Sequence, residues 1–228
     1  MSGELSSAPE GSDRHPWDWY VEQQWVTHRL LDTAPIAQGA TVLDPCCGGG
    51  NIVRALRNRG HDAFGMDLFD RGAPHFLGMH DFLGDERSIL EGSPRLSIIF
   101  NPPYSMQKGR LARRLAERFI RRALEIATDQ VAALLPPKWL ASESRFSLFT
   151  DEATAPIGVW ILSERPSMPP GDQIEHLGEN AWKRGKVDYV WILWDRRQRP
   201  HLDDHGLPFV PTYWIPPREK QRRRRLAA

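Results

Sequence analysis

No run of about 18 apolar residues occurs in the 228-residue sequence, so no membrane-spanning helix is expected. Cysteine is nearly absent. The two that occur, Cys46 and Cys47, are adjacent. Adjacent cysteines rarely pair, and two ligands do not make a zinc site. That excludes a disulfide scaffold and makes a reducing cytoplasm the expected setting. Net charge is nearly absent too. Thirty Lys and Arg against 29 Asp and Glu leave +1, so the sum decides nothing about a polyanionic partner and local clustering must. The eight histidines show no ligand spacing, and no metal is expected. The opening "MSGELSSAPEGSDRHPWDWY" has neither the basic start nor the apolar centre of a signal peptide.

What is present is the composition of one soluble globular domain, 40% hydrophobic and 26% charged. Residues 1–15, rich in Ser, Gly, Pro and Glu, are expected to be disordered. Residues 16–199 form the folded domain. Residues 200–228, Pro- and Arg-rich, form a C-terminal tail. Within "DWYVEQQWVTHRLLDTA" the apolar residues Tyr20, Val21, Trp25, Val26, Leu30 and Leu31 fall near helical spacing. "ATVLDP" reads as a strand, "NIVRALRNRG" as a helix closed by Gly60, and "DAFGMDL" as a second strand, which makes one βαβ unit. Residues 69–95 read as loop-rich, with Asp81 where a third strand would end. "RLSIIF", "QVAALLP", "IGVWILSE" and "VDYVWILWD" supply four more, with a helix expected over 110–127. The last two strands have only a loop between them, which favours an antiparallel pairing. The fold class is therefore α/β: a doubly wound, mostly parallel seven-stranded sheet with its last strand antiparallel.

Three consecutive glycines follow the first strand in "VLDPCCGGGN". Glycine there permits positive φ and a close approach of a ligand to the backbone at the carboxyl ends of the strands. The pattern is neither G-x-G-x-x-G nor a P-loop. Asp67 ends the second strand, where a carboxylate can accept from two ribose hydroxyls. Asp81 and Phe82, in "HDFL", suit an adenine, the carboxylate accepting from its amino group and the ring packing on it. A loop cap is the alternative for Asp81.

The most informative stretch is "SIIFNPPYSM". A buried strand runs straight into Asn101-Pro102-Pro103-Tyr104. The lone pair of an exocyclic amine is delocalised into its ring, so the nitrogen is a poor nucleophile. Two hydrogen-bond acceptors, one per N–H, would localise it. The Asn101 side-chain oxygen and the Pro102 carbonyl are candidates for that pair. The prolines hold φ near about −65° and fix both acceptors in advance. Tyr104 can stack on a base turned out of its helix.

With these motifs the sequence resembles the class I S-adenosylmethionine-dependent methyltransferases, above all the adenine-N6 DNA methyltransferases. "VLDPCCGGGN" resembles their cofactor glycine motif, "FGMDLFD" their ribose motif, "HDFL" their cofactor-adenine motif and "IIFNPPY" their catalytic motif. The resemblance covers residues 17–195 and implies a Rossmann-like methyltransferase fold with S-adenosylmethionine as cofactor. It implies that Asp44, Pro45, Cys46, Gly48, Gly50, Asp67, Leu68, Asp81, Phe82 and Asn101 hold the cofactor. Asn101, Pro102, Pro103 and Tyr104 would hold and methylate a flipped-out adenine. The segment around Trp19, Tyr20 and Glu22 corresponds loosely to the family's N-terminal cofactor segment.

The sequence departs from that family in two ways. Where DNA members often carry an aromatic after the sixth strand, "SERPSMPPG" offers Met168. The insert "RPSMPPGDQIEHLGENAWKRGK" is too small for a full recognition domain. Nucleic acid, DNA first, is the expected partner, with Lys108, Arg110, Arg113, Lys138 and Arg165 as candidate contacts to it. The runs "DRRQR" and "RRRR" could add non-specific affinity, and Arg114, Arg118, Arg121 and Arg122 share a helix with Glu117 and Glu125 that could also be a solvated face. Ribosomal RNA and a protein glutamine remain open as acceptors, because the same clamp fits any planar, delocalised amine. A nucleic-acid-binding module without catalysis is the other alternative.

Overall fold

The computed structural model describes residues 14–84, 93–183 and 185–218. One eight-stranded sheet forms its centre. The strands are β1 (Thr41–Asp44), β2 (Asp62–Asp67), β3 (Phe76–Met79), β4 (Leu96–Phe100), β5 (Gln130–Leu135), β6 (Gly158–Leu162), β7 (Val190–Asp195) and β8 (Thr212–Ile215). Their order across the sheet is β8-β6-β7-β5-β4-β1-β2-β3. All neighbours are parallel except β7, which runs antiparallel to both β5 and β6. The doubly wound, mostly parallel fold is the one expected, including its reversed strand.

The helices that position the site are α1 (Gln24–Thr33), α2 (Asn51–Arg57) and α3 (Leu115–Ile126). β4 is buried along its whole length, and so is β5, because layers cover both faces of the sheet. One core cluster joins Phe100, Ile120 and Trp194; the other joins Leu30, Ile52 and Trp191. From β1 the chain winds outward through β2 and β3. It then returns to lay β4 on the other side of β1. The carboxyl ends of β1 and β4 thus flank the switch point, where sheets of this kind bind ligands.

Four expectations change. The sheet has eight strands, not seven. The eighth, β8, lies in the segment expected as a tail from 200, so the folded domain extends past 199. Prolines on both sides of β8 are tolerated because an edge strand leaves one row of backbone groups unpaired. The helix expected over 110–127 starts at Leu115. Before it, residues 106–107 and 110–111 pair in a small hairpin whose tip, Lys108 (φ 53) and Gly109 (φ 69), has both residues left-handed, as a tight primed turn requires. The helix expected from about Asp18 starts at Gln24. Of the segment expected to be disordered, residues 1–13 lie outside the described residues, as does "RRRR" at 222–225.

Arg14 and His15 belong to an ordered strap that runs to Gln23. The His15 ring nitrogen accepts the Trp17 and Trp19 amides at 3.2 Å each. The strap is stitched to the loop after β6 by Val21 N to the Pro169 carbonyl and Gly171 N to the Trp19 carbonyl, both at 3.0 Å. Half-buried Tyr20 and buried Val21 are thus held by this loop rather than by a helix face. Among the described residues no helix is long and apolar enough to cross a membrane.

Candidate active site

The chain leaves β1 through Asp44 and turns at Cys46-Cys47-Gly48 into α2. Asp44 is buried, and its carboxylate accepts the Cys46 amide at 3.2 Å. Gly48 and Gly50 are left-handed, with φ of 51 and 81. A Cβ on Gly48 would lie 2.6 Å from the Trp19 indole nitrogen, so the glycine is what lets the strap close on the turn. Asp67 at the end of β2 reaches across: its Oδ2 accepts the Gly48 amide at 2.9 Å and its Oδ1 the Phe69 amide at 3.1 Å. Each oxygen keeps a lone pair for a further donor.

A pocket opens between these ends and the strap. Pro45, Cys46, Asp67, Leu68, Asp81, Phe82 and Asn101 line it, joined by Trp17, Trp19 and Arg71. Phe82 packs on Phe119 of α3 with ring centres 5.5 Å apart. Asp81 caps its own turn, Oδ1 accepting the Leu83 amide at 3.0 Å; the carboxylate nevertheless borders the pocket. A narrower recess beside it is walled by Glu22, Asp44, Cys46, Gly48 and Asn101. Burial drives the Asp44 carboxyl and the Cys46 thiol well above their ordinary pKa values, and neighbouring carboxylates add to both shifts. Cys46 is therefore a neutral thiol, and it donates to the Asn101 backbone carbonyl at 3.3 Å.

Asn101 stands at the end of β4, where it lines both the first pocket and the recess. Its amide nitrogen donates to Glu22 Oε2 at 3.0 Å, and its oxygen accepts the Tyr104 hydroxyl at 2.8 Å. Pro102 is buried, and no donor among the described residues takes its carbonyl. Asp18 of the strap fixes the far side of the turn by accepting the Ser105 and Met106 amides at 2.6 and 2.7 Å. Tyr104 points into a second pocket with Trp139, Met168 and Tyr189, rimmed by Arg14, Lys138 and Arg145. The Tyr104 and Tyr189 rings lie 6.4 Å apart. Burial pushes the Tyr189 phenol up to about 12 and the Tyr104 phenol well above its usual value.

The structure thus brings Asp44, Pro45, Cys46, Gly48, Asp67, Leu68, Asp81, Phe82, Asn101, Pro103 and Tyr104 around two adjoining pockets. Gly50 caps α2 just behind them. Among the basic candidates only Lys138 borders a pocket at Tyr104. Lys108 and Arg110 sit on the hairpin after the turn, and Arg113 follows it, all three exposed. Arg165 is engaged by Asp188 at 2.6 and 3.3 Å. On α3 and just before it, Arg114 and Arg121 pair with Glu117, and Arg122 pairs with Glu125. Arg118, on the same helix, is exposed. The arginine-rich helix is thus mostly a face of internal ion pairs. Asp18, Trp139 and Tyr189 carry no motif that singles them out in sequence, although Tyr189 does alternate with the apolar residues of β7.

No protein-family model and no curated protein matches the chain. A solved structure does, that of a protein described as a modification subunit of a type I restriction enzyme from Vibrio vulnificus. It superposes with a TM-score of 0.53 at 15% identity, over 93% of this chain and 49% of that one. The fold is shared. It is the doubly wound, mostly parallel α/β type expected from the sequence, and this chain spans about half the length of that protein. TrmN from Thermus thermophilus matches at a TM-score of 0.43 and 20% identity, over 75% of this chain and 48% of that one, a likeness too distant to carry an argument.

Proposed function

We propose that the protein is an S-adenosylmethionine-dependent amino-methyltransferase whose acceptor is the N6 amine of an adenine in DNA. The observation that carries this is the Asn101 side chain, which lines the acidic pocket at the glycine turn and accepts a hydrogen bond at 2.8 Å from Tyr104, a residue of the aromatic pocket rimmed by cations.

The donor set of the acidic pocket suits S-adenosylmethionine. Asp67 retains lone pairs for two ribose hydroxyls, Leu68 and Phe82 offer apolar surface to an adenine ring, and Asp81 can accept from its amino group. Glu22 and Asp44 give the recess beside Gly48 a negative character that a cationic ligand would relieve. When bound, this cofactor supplies an electrophilic methyl group on a sulfonium sulfur.

The chain's own residues hold the acceptor. Asn101 Oδ1 and the Pro102 carbonyl take one N–H each and draw the nitrogen lone pair out of the ring. Both acceptors are fixed before the substrate arrives, so no reorganisation is needed during transfer. Tyr104, Tyr189, Trp139 and Met168 form an apolar slot for a flat base. Lys138 and Arg145 stand where phosphates would flank it, beside Arg14, which is paired with Asp18 at 2.8 Å. No side chain needs to remove a proton first, since the product can lose one afterwards.

The same clamp would serve an RNA base or a protein glutamine, and the cationic rim is what favours nucleic acid over glutamine. The test is methyl transfer from labelled S-adenosylmethionine to duplex DNA, structured RNA and a Gln-containing release-factor protein in parallel, with the product identified by mass spectrometry. N6-methyladenine in DNA is expected. Label confined to RNA or to protein would keep the clamp and overturn the substrate. Label in none, with cofactor bound, would overturn the reading.

A further inference from the structure

An asparagine amide offers four hydrogen-bonding positions: two N–H donors and two lone pairs on oxygen. For Asn101 three are taken within the chain. The nitrogen donates to Glu22 Oε2 at 3.0 Å and, over a longer 3.4 Å, to the Tyr20 carbonyl. The oxygen accepts the Tyr104 hydroxyl at 2.8 Å. What remains is one lone pair on the oxygen, the position the clamp requires.

Something has to keep the amide facing that way. Turned over, it would set an N–H against the N–H of an incoming amine. Tyr104 cannot decide the matter, because a hydroxyl donates or accepts with equal ease. The Tyr20 carbonyl is at the long limit of a hydrogen bond. An ionised Glu22 only accepts, so it is the group that excludes the reversed amide. Glu22 is itself held: it is buried at the end of the strap, and its backbone carbonyl takes the Asn51 side-chain N–H at 2.7 Å. Burial raises the Glu22 pKa, while the Asn101 N–H counters that rise by favouring the ionised form.

We propose that Glu22 is a positioning residue for amino methylation: by accepting the Asn101 N–H it presents the Asn101 oxygen to the acceptor amine. The proposal rests on the amino-methyltransferase reading above. It gives the N-terminal strap a part in the chemistry that covering the cofactor pocket would not require.

Glu22→Gln keeps the size of the side chain but adds a donor. Its kcat, its Kd for S-adenosylmethionine, and the same quantities in the Asn101→Ala background test the idea. We expect kcat to fall about 10- to 100-fold in Glu22→Gln, a larger factor than the rise in cofactor Kd that follows from the charge lost to the recess. In the Asn101→Ala background the same change should cost no further kcat, because Glu22 reaches the acceptor amine only through that amide. An equal loss in both backgrounds, or a Kd that rises in step with the loss of kcat, would overturn the proposal and make Glu22 a support of the cofactor recess. If the wild-type chain methylates no amine offered to it, the functional reading falls, and the orientation is then judged on its own from the NMR of the Asn101 side-chain amide. Slowly exchanging N–H protons in the wild type that exchange freely in Glu22→Gln uphold the contact. Free exchange in both sinks it.

Discussion

The two pockets on either side of Asn101 are built on opposite plans. The pocket at the ends of β1 and β2 is acidic and organised by backbone amides: a glycine turn, amides tied to Asp44 and Asp67, and Glu22 closing the recess. The pocket beyond Tyr104 is aromatic and basic, built from side chains of four separate segments, with Arg14, Lys138 and Arg145 on its rim. A net charge of +1 conceals two opposed local fields. One suits a ligand carrying sulfonium and ammonium charges, the other a ligand carrying phosphates. A chain that joins a cation to a polyanion needs both.

Asn101 lines the acidic pocket and touches Tyr104 of the other, and its proposed part is to hold the amine between them, so Asn101→Ala should have the largest effect and leave both ligands bound. Turnover should fall by about 10²–10³-fold, with Kd values for S-adenosylmethionine and for DNA nearly unchanged. Surviving turnover would sink the clamp. Asp67→Ala should break one side alone. Losing hydrogen bonds to a charged acceptor costs about 1.5–3 kcal/mol, or roughly a tenfold to hundredfold rise in cofactor Kd. Calorimetry would show it, and an equal weakening of DNA binding would mean that the pockets are not separate.

The acidic pocket also predicts a pH dependence. Burial raises the Asp44 carboxyl, and the nearby Glu22 and Asp67 charges raise it further. A carboxyl whose folded pKa lies above its unfolded one adds stability below the unfolded value and loses it as pH climbs through the folded value. Asp44→Asn, always neutral, escapes that loss. The melting temperature of the variant should therefore gain on the wild type as pH rises from about 4, near the ordinary carboxylate value. A tenfold difference in proton affinity between the folded and unfolded chain is worth about 1.4 kcal/mol, which is about 3–6 °C for a chain of this size. Saturating S-adenosylmethionine should narrow the gap, because a bound cation relieves the buried charge. A gap that ignores pH would remove the argument for a negative recess.

The same contrast decides what could be read before the structure. The glycine turn, Asp67 and the strand running into Asn101 are local: backbone conformation and strand ends leave signatures within a few neighbouring residues. Six strands followed from apolar runs bounded by breakers; β3 lies in a stretch that reads as loop-rich, where only the place of Asp81 pointed to a strand end. β8 escaped because "PTYWIPP" is short and proline-flanked, features shared by tails and by edge strands. The strap escaped because Tyr20 and Val21 fit helical spacing, while what fixes them is a bridge to Pro169 and Pro170, far along the chain. Tyr189 and Trp139 escaped for the same reason. Aromatic residues in a chain with nine tryptophans carry no mark of which will share a pocket.

The smallest effects should separate two basic residues that charge alone could not rank. Lys138 borders the aromatic pocket and is exposed, whereas Arg165 is paired with Asp188 through two hydrogen bonds. A cation that neutralises a phosphate releases about one counterion, and its removal lowers the slope of log K against log salt by about 0.9 for duplex DNA. Lys138→Ala should show that decrease and a loss of affinity that is even across sequences. Arg165→Ala should alter neither, because its guanidinium already faces a carboxylate and a phosphate would have to displace it. If both variants lost the same slope, the Arg165–Asp188 pair would open on binding and the basic rim would reach past the pocket toward the loop after β6. If neither did, the cations at Tyr104 would hold no phosphate, and a protein glutamine would become the better acceptor for the same clamp.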